Sequence, residues 1–250
     1  MTAAELAFLA IAGFGAGMVN GVAGGGSMLS FPALLVVGLP SLTANVTSTV
    51  GIWTGYLGGA AGFRRNLETQ RHRLPPLAAV AFVGAVVGSL LLLLTSEGAF
   101  DALAPWLVLA ACALFAAQPW LARRVAAGGL SGRSHRVLRD LGVFAASVYG
   151  AYFGAGLGVL LLAVLGITMV GRMNDLNAIR TVLALLVNSI AVVVFAVAAP
   201  VEWAAAGVMA VAALGGGYLG ARTATRMPVP VFRGVVLVIG LAAAIGLLLY

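Results

Sequence analysis

Lysine is absent from this chain and acid is scarce: 14 basic residues, every one of them arginine, stand against 7 Asp and Glu in 250 residues. Charged residues make up 8% and hydrophobic ones 62%. With a mean hydropathy of +1.10, the chain has too little polar surface to enclose a soluble core and reads as a polytopic membrane protein. A pI near 10.8 would point to nucleic acid in a soluble protein. Here the arginines cluster between apolar runs, which is an orientation signal, and no nucleic-acid partner is expected. The single cysteine, Cys112, sits inside an apolar segment, so neither an intrachain disulfide nor a cysteine metal site is available. Both histidines, His72 and His135, fall in loops, which leaves no buried nucleophile and base and argues against an enzyme. A glycine-rich loop followed by lysine is missing, so ATP drive is not expected, and no metal or cofactor is called for. No loop is long enough to form a domain. Met1-Thr2-Ala3-Ala4-Glu5 lacks the basic start of a cleaved signal peptide, so the first helix is expected to remain in the mature protein.

What the chain does have is glycine, and one stretch of it interrupts an apolar run: Asn20-Gly21-Val22-Ala23-Gly24-Gly25-Gly26-Ser27-Met28-Leu29-Ser30-Phe31-Pro32. Three successive glycines disfavour a continuous helix and favour an open turn. Backbone that leaves a helix at membrane depth must be buried in protein or line a wet cavity. The stretch therefore reads as a broken helix with peptide N–H groups aimed at a ligand. A surface loop or a seam of close helix packing is the competing reading.

Apolar segments fall at roughly 6–20, 28–37, 43–62, 77–95, 102–121, 141–156, 158–170, 177–199, 203–221 and 230–249. Six are long enough to span. The other four come in two pairs joined by glycine-rich breaks, and an arm of ~15 residues reaches only ~22 Å of a ~30 Å hydrocarbon core. Each pair is expected to form a re-entrant hairpin. The connections 63–76 and 122–140 carry Arg64, Arg65, Arg71 and Arg73, and Arg123, Arg124, Arg133, Arg136 and Arg139; the opposite loops offer only Glu97, Asp101 and Glu202. With the basic loops cytoplasmic, Arg222 and Arg226 also fall inside, segment 141–170 begins and ends inside, and both termini lie outside.

The two halves then share a plan of one broken hairpin and three spans. Repeat one covers 1–125, a cytoplasmic linker 126–140, and repeat two 141–250. Three spans being odd, the second copy is inverted. Ala23-Gly24-Gly25-Gly26-Ser27 pairs with Gly154-Ala155-Gly156-Leu157-Gly158, and Thr43-Ala44-Asn45-Val46-Thr47 with Asn177-Ala178-Ile179-Arg180-Thr181. Inverted repeats with interrupted helices in matching positions point to a secondary transporter whose site lies between the repeats.

In such a hairpin the second arm starts at the tip, so helix N-termini near Ser27 and Gly158 would face the membrane centre and favour an anion over a cation. The candidate binding residues at the tips are Gly24, Gly25, Gly26, Ser27, Gly154, Gly156 and Gly158; Ser27 is equally suited to cap its own helix. In the spans, Asn45, Thr47, Arg180, Thr181 and Asn188 are the candidates. Arg180 alone reaches into the hydrocarbon, as a ligand or as a side chain snorkelling to the cytoplasmic face. Thr47 and Thr181 either bind ligand or bond back to their own helix, and Asn188 either binds ligand or bonds to a neighbouring helix. No span carries an acid at its middle, so proton relays and cation sites lack their usual parts.

Gly21-x-x-Gly24-Gly25-Gly26-Ser27-x-x-x-x-Pro32, Ala44-Asn45-x-Thr47-Ser48 and Phe153-Gly154-Ala155-Gly156-Leu157-Gly158 together resemble the TauE/SafE sulfite exporter family over almost the whole chain. The resemblance implies a bacterial or archaeal inner-membrane permease for sulfite, sulfonates or similar organic anions. The second copy departs from the pattern, with Ala163 where proline is expected and Leu157 interrupting the glycines. The expected function is a secondary transporter exporting a small sulfur-containing anion. The alternatives are a transporter or channel for another small anion and a non-transporting membrane scaffold. Gly215-Gly216-Gly217 and Gly220 suit helix packing within one chain or between two, which leaves a homodimer open.

Overall fold

A computed structural model describes residues 1–22, 24–62, 64–126, 133–223 and 229–249. Linker residues 127–132, Arg226 and the side chains of Arg64, Arg65, Arg123, Arg124 and Arg133 lie outside the described residues. The described chain is helical throughout: α1 Ala3–Val22, α2 Ser27–Val36, α3 Ser41–Gly62, α4 Arg64–Gln70, α5 Leu74–Leu93, α6 Glu97–Ala126, α7 Arg133–Tyr152, α8 Leu157–Thr168, α9 Met173–Ala198, α10 Trp203–Thr223 and α11 Val229–Leu249. A helix stands at each of the ten apolar segments. Among the described residues 5 helices, α1, α5, α6, α9 and α10, are long and apolar enough to cross a membrane.

Two lengths differ from expectation. Segment 6–20 is part of a 20-residue helix, because Ala3–Glu5 before it and Gly21–Val22 after it are helical too. Segment 141–156 belongs to a helix that starts eight residues earlier, at Arg133, because its polar opening turns are helical too. At 1.5 Å per residue these first arms reach ~30 Å, so the argument from short length fails for them. It holds for the second arms, α2 with 10 residues and α8 with 12. Conversely, α3 has 22 residues but is less apolar, because one face carries serine, threonine and asparagine, and that face is used in packing. Ser48 Oγ meets Ser30 Oγ of α2 at 2.6 Å, Trp53 Nε1 donates to Ser189 Oγ of α9 at 2.7 Å, and Thr54 donates to the Ala210 carbonyl of α10. Helix α3 is the hub.

The packing is laced across the chain. Helix α1 packs on α10, and α5 on α7. In the same way α3 packs on α10 and α9 on α5, α2 on α11 and α8 on α6, and α3 meets α9 while α6 meets α11. These pairings persist when α1, α2, α3, α5 and α6 are exchanged for α7, α8, α9, α10 and α11. Absent side chains permit the closest crossings. Gly17 of α1 lies against the Ala213 carbonyl of α10, Gly217 of α10 against the Gly55 carbonyl of α3, and Gly88 of α5 against the Val148 carbonyl of α7. Gly216, Gly217 and Gly220 thus pack helices within the chain. The outer faces carry large exposed apolar side chains, among them Ile11, Val193, Val197 and Val211, which suit lipid.

Candidate functional site

Both glycine-rich breaks turn on left-handed backbone. Gly24 has φ +74, Gly154 φ +81 and Gly156 φ +80, a region that a side chain rarely tolerates. At the first break, the Gly24 amide donates to the Val19 carbonyl at 2.8 Å and the Gly26 amide to Asn20 Oδ1 at 2.7 Å. Those two amides are therefore satisfied inside the protein. The expectation that the glycines simply expose their N–H groups is corrected for both. Gly26 caps α2 without a side-chain hydrogen bond, so Ser27 is not the cap. At the second break Gly156 is the cap of α8, and Leu157 opens the helix with its side chain pressed against Gly150. Gly24 thus corresponds to Gly154, Gly26 to Gly156 and Ser27 to Leu157, one residue off the pairing drawn from the sequence. In this register Leu162, rather than Ala163, stands opposite Pro32.

The two breaks meet. A Cβ placed on Gly24 would lie 2.6 Å from the Gly158 Cα and 2.7 Å from Nη1 of Arg180; one on Gly158 would lie 2.5 Å from the Gly24 Cα and 3.1 Å from the same Nη1. Glycine is required here so that two backbones and a guanidinium share one point. The contact is braced by aromatic rings around Phe153, at the end of α7. Phe31 of α2 meets it edge-on at 5.4 Å between centroids, and Phe100 of α6 lies at 6.4 Å. Asn45 Nδ2 donates to the Tyr152 carbonyl at 2.9 Å and fixes the same turn to α3. Around the corner, a Cβ on Gly154 would sit 3.0 Å from Ser27 Oγ and 3.8 Å from Thr49 Oγ1.

Arg180 is 1% exposed. It does not snorkel; its side chain runs inward from α9 to the junction of the breaks. Among the described residues none of Nε, Nη1 and Nη2 has a hydrogen-bond partner. Tyr56 of α3, itself buried, faces both Arg180 and Asn188. Asn20 Nδ2 is a second buried donor without a partner among the described residues, its Oδ1 being taken by Gly26. A guanidinium has donors only and stays charged at any physiological pH. The groups left over around the first break, Arg180 and the Asn20 amide, therefore ask for an acceptor, and the charge asks for an anion.

The sequence candidates divide accordingly. Gly24, Gly158 and Arg180 come together at one point, with Gly25 beside them against the Phe115 ring, Gly26 on Asn20, and Ser27 over Gly154. Gly156 faces Ala111 of α6. Of the remaining candidates, Thr47 Oγ1 accepts the Glu202 amide at 3.0 Å, Thr181 Oγ1 donates to the Asn177 carbonyl, and Asn188 Nδ2 donates to the Ala184 carbonyl while its side chain faces Tyr56. Sequence reasoning missed Asn20 and Tyr56. Asn20 carried a signal, a lone amide six residues before the glycine it holds; Tyr56 carried none apart from its place in a helix already polar.

A family model described as "Sulfite exporter TauE/SafE" matches residues 9–247. The "Probable membrane transporter protein" of Haemophilus influenzae is 27% identical over 222 residues, 87% of this chain and 84% of that protein. The "Probable membrane transporter protein ORF9" of Sinorhizobium sp is 32% identical over 114 residues, 46% of this chain and 44% of that protein, so the match takes in less than half of it. No solved structure matches.

Proposed function

The chain belongs to the sulfite exporter TauE/SafE family of membrane transporters, and on that premise we propose that it is a secondary transporter exporting a small sulfur-containing anion, sulfite or an organosulfonate, from the cell across the inner membrane. The anion binds where Gly24 and Gly158 meet Arg180. The observation that carries this reading is the guanidinium of Arg180, buried at 1% exposure without a hydrogen-bond partner among the described residues. An uncompensated buried charge costs several kcal/mol, and an oxyanion removes that cost while filling the donors.

The packing supports a pair of inverted repeats, since helix contacts persist on exchanging the two halves. The short second arms, α2 and α8, reach ~15 and ~18 Å and suit re-entrant hairpins that start at mid-membrane. Their N-termini then add partial positive charge beside Arg180. With the arginine-bearing loops cytoplasmic, both termini lie outside. Where the tips touch, no anion passes between them, so they part to admit it and close behind it, as alternating access requires.

The test is uptake of radiolabelled sulfite, isethionate and sulfoacetate, with acetate as a sulfur-free control, into proteoliposomes holding purified protein. Uptake of one of the sulfur anions, reduced at least tenfold by Arg180→Gln in a protein that elutes as folded, is the expected result. Full flux by Arg180→Gln would remove the site, and no flux of any sulfur anion would remove the substrate class.

A further inference from the structure

We infer that this carrier works as an obligatory anion exchanger, because closing on an empty site strands a buried charge. The inference rests on the transport reading given above and adds the mode of coupling.

The junction closes one side of the guanidinium. Gly158 and Gly24 touch directly against Nη1, with the Gly24 carbonyl 2.9 Å from where a Gly158 Cβ would stand. In this arrangement Arg180 is shut away from solvent. A guanidinium cannot shed its proton to escape the cost of burial. The neighbours on the packed elements do not neutralise it either. Tyr56 and Asn188 are uncharged, and Asn20 contributes a further unfilled donor. All 7 acidic residues are among the described ones, and Asp175 alone is buried; it pairs with Arg172 at 3.2 Å, near the start of α9.

Closing the tips on an empty site therefore strands a cation in low dielectric, whereas closing them on an anion supplies the missing charge and the missing acceptors. Alternating access passes through the closed arrangement in both directions. The loaded carrier makes that passage and the empty one does not, so each outward journey with one anion is followed by an inward journey with another. The scarcity of buried acid bears on the same point. With no unpaired buried carboxylate among the described residues, a proton or cation has no site from which to neutralise the return, and the returning anion takes that role.

The test uses wild-type protein in proteoliposomes with equal potassium on both sides and valinomycin to hold the potential at zero. Labelled anion, whichever of sulfite, isethionate or sulfoacetate is carried, is added outside. The lumen holds either the same anion unlabelled or polyglutamate, which is too large to enter. Initial uptake at least tenfold faster into the anion-loaded vesicles is expected. Equal rates in the two would overturn exchange and leave the transport reading standing. Absence of uptake in both for every anion would overturn the transport reading and exchange with it. Arg180→Gln removes the stranded charge, so its ratio of loaded to unloaded uptake falls toward one at whatever rate it retains. A ratio in that variant as high as in the wild type would count against the guanidinium as the cause.

Discussion

Asn20 and Gly26 are bound to each other across the turn that ends α1: the Gly26 amide donates to Asn20 Oδ1 at 2.7 Å, and a Cβ on Gly26 would press on the same carboxamide at 2.8 Å. Removing the acceptor leaves a buried N–H unpaired, a loss of about 1–3 kcal/mol. Asn20→Ala is expected to lower the Tm of detergent-purified protein by several degrees. Asn20→Asp retains an oxygen for Gly26 and so retains most of the stability. It also brings a negative charge to the anion's approach, and its flux falls while its Tm holds. An unchanged Tm in Asn20→Ala would show that the turn does not depend on the bond.

Arg180 should make stability depend on substrate. A ligand at 100 times its Kd stabilises a protein by about 2.7 kcal/mol. The wild type is expected to gain several degrees of Tm in saturating transported anion over the same ionic strength of polyglutamate. Arg180→Gln, spared the cost of an unpaired buried charge, should be at least as stable as the wild type without anion and gain nothing from it. Equal shifts in both proteins would place binding elsewhere.

Gly25 faces the edge of Phe115, whose nearest ring carbon would lie 2.9 Å from an added Cβ. Gly25→Ala is therefore expected to slow transport by pushing the ring, and Phe115→Leu in the same protein to restore much of the rate by yielding space. Gly158→Ala meets backbone, not a movable ring, so no single partner change rescues it. Initial rates of the four proteins in vesicles check the contrast; rescue of Gly158→Ala by Phe115→Leu would contradict it.

The helix crossings predict a contrast within α10. Gly217 lies against the Gly55 carbonyl, whereas an added Cβ on Gly207 meets nothing within 4 Å. Gly217→Ala should cut the yield of monodisperse protein severely, and Gly207→Ala should leave it unchanged or raise stability by about 0.5–1 kcal/mol through helix propensity. Size-exclusion profiles and Tm values separate the two; similar behaviour would contradict the packing of α10 on α3.

The membrane class, the helical segments and both breaks were legible because apolar length and glycine runs are local signals. Arg180 was legible because a charge inside an apolar helix stands out. Its destination was not: whether it snorkelled or turned inward depends on Gly158, a residue of another helix. The second break was read one residue out of register because Gly154 and Gly156 are both glycines flanking Ala155, and only their φ values and the seat of Leu157 on Gly150 show where α8 begins. Thr47 looked like a site residue for the same reason that Asn45 did, a hydroxyl or amide in an apolar helix. The hydroxyl of Thr47 is used to receive the amide of Glu202 at the head of α10, a pairing of distant residues that no local pattern announces.

The lacing of α1 onto α10 has a consequence for how the molecule is made. Helix α1 leaves the ribosome long before α10, the helix that covers its Gly13, Gly17 and Gly21. During synthesis that small-residue face waits for its partner while α2 and α3 pack on α1. Contacts so far apart in the chain form slowly and late. The assembled bundle therefore cannot mature half by half, and a polypeptide cut in the linker would yield two pieces that each lack a seat for their own leading helix until they find one another.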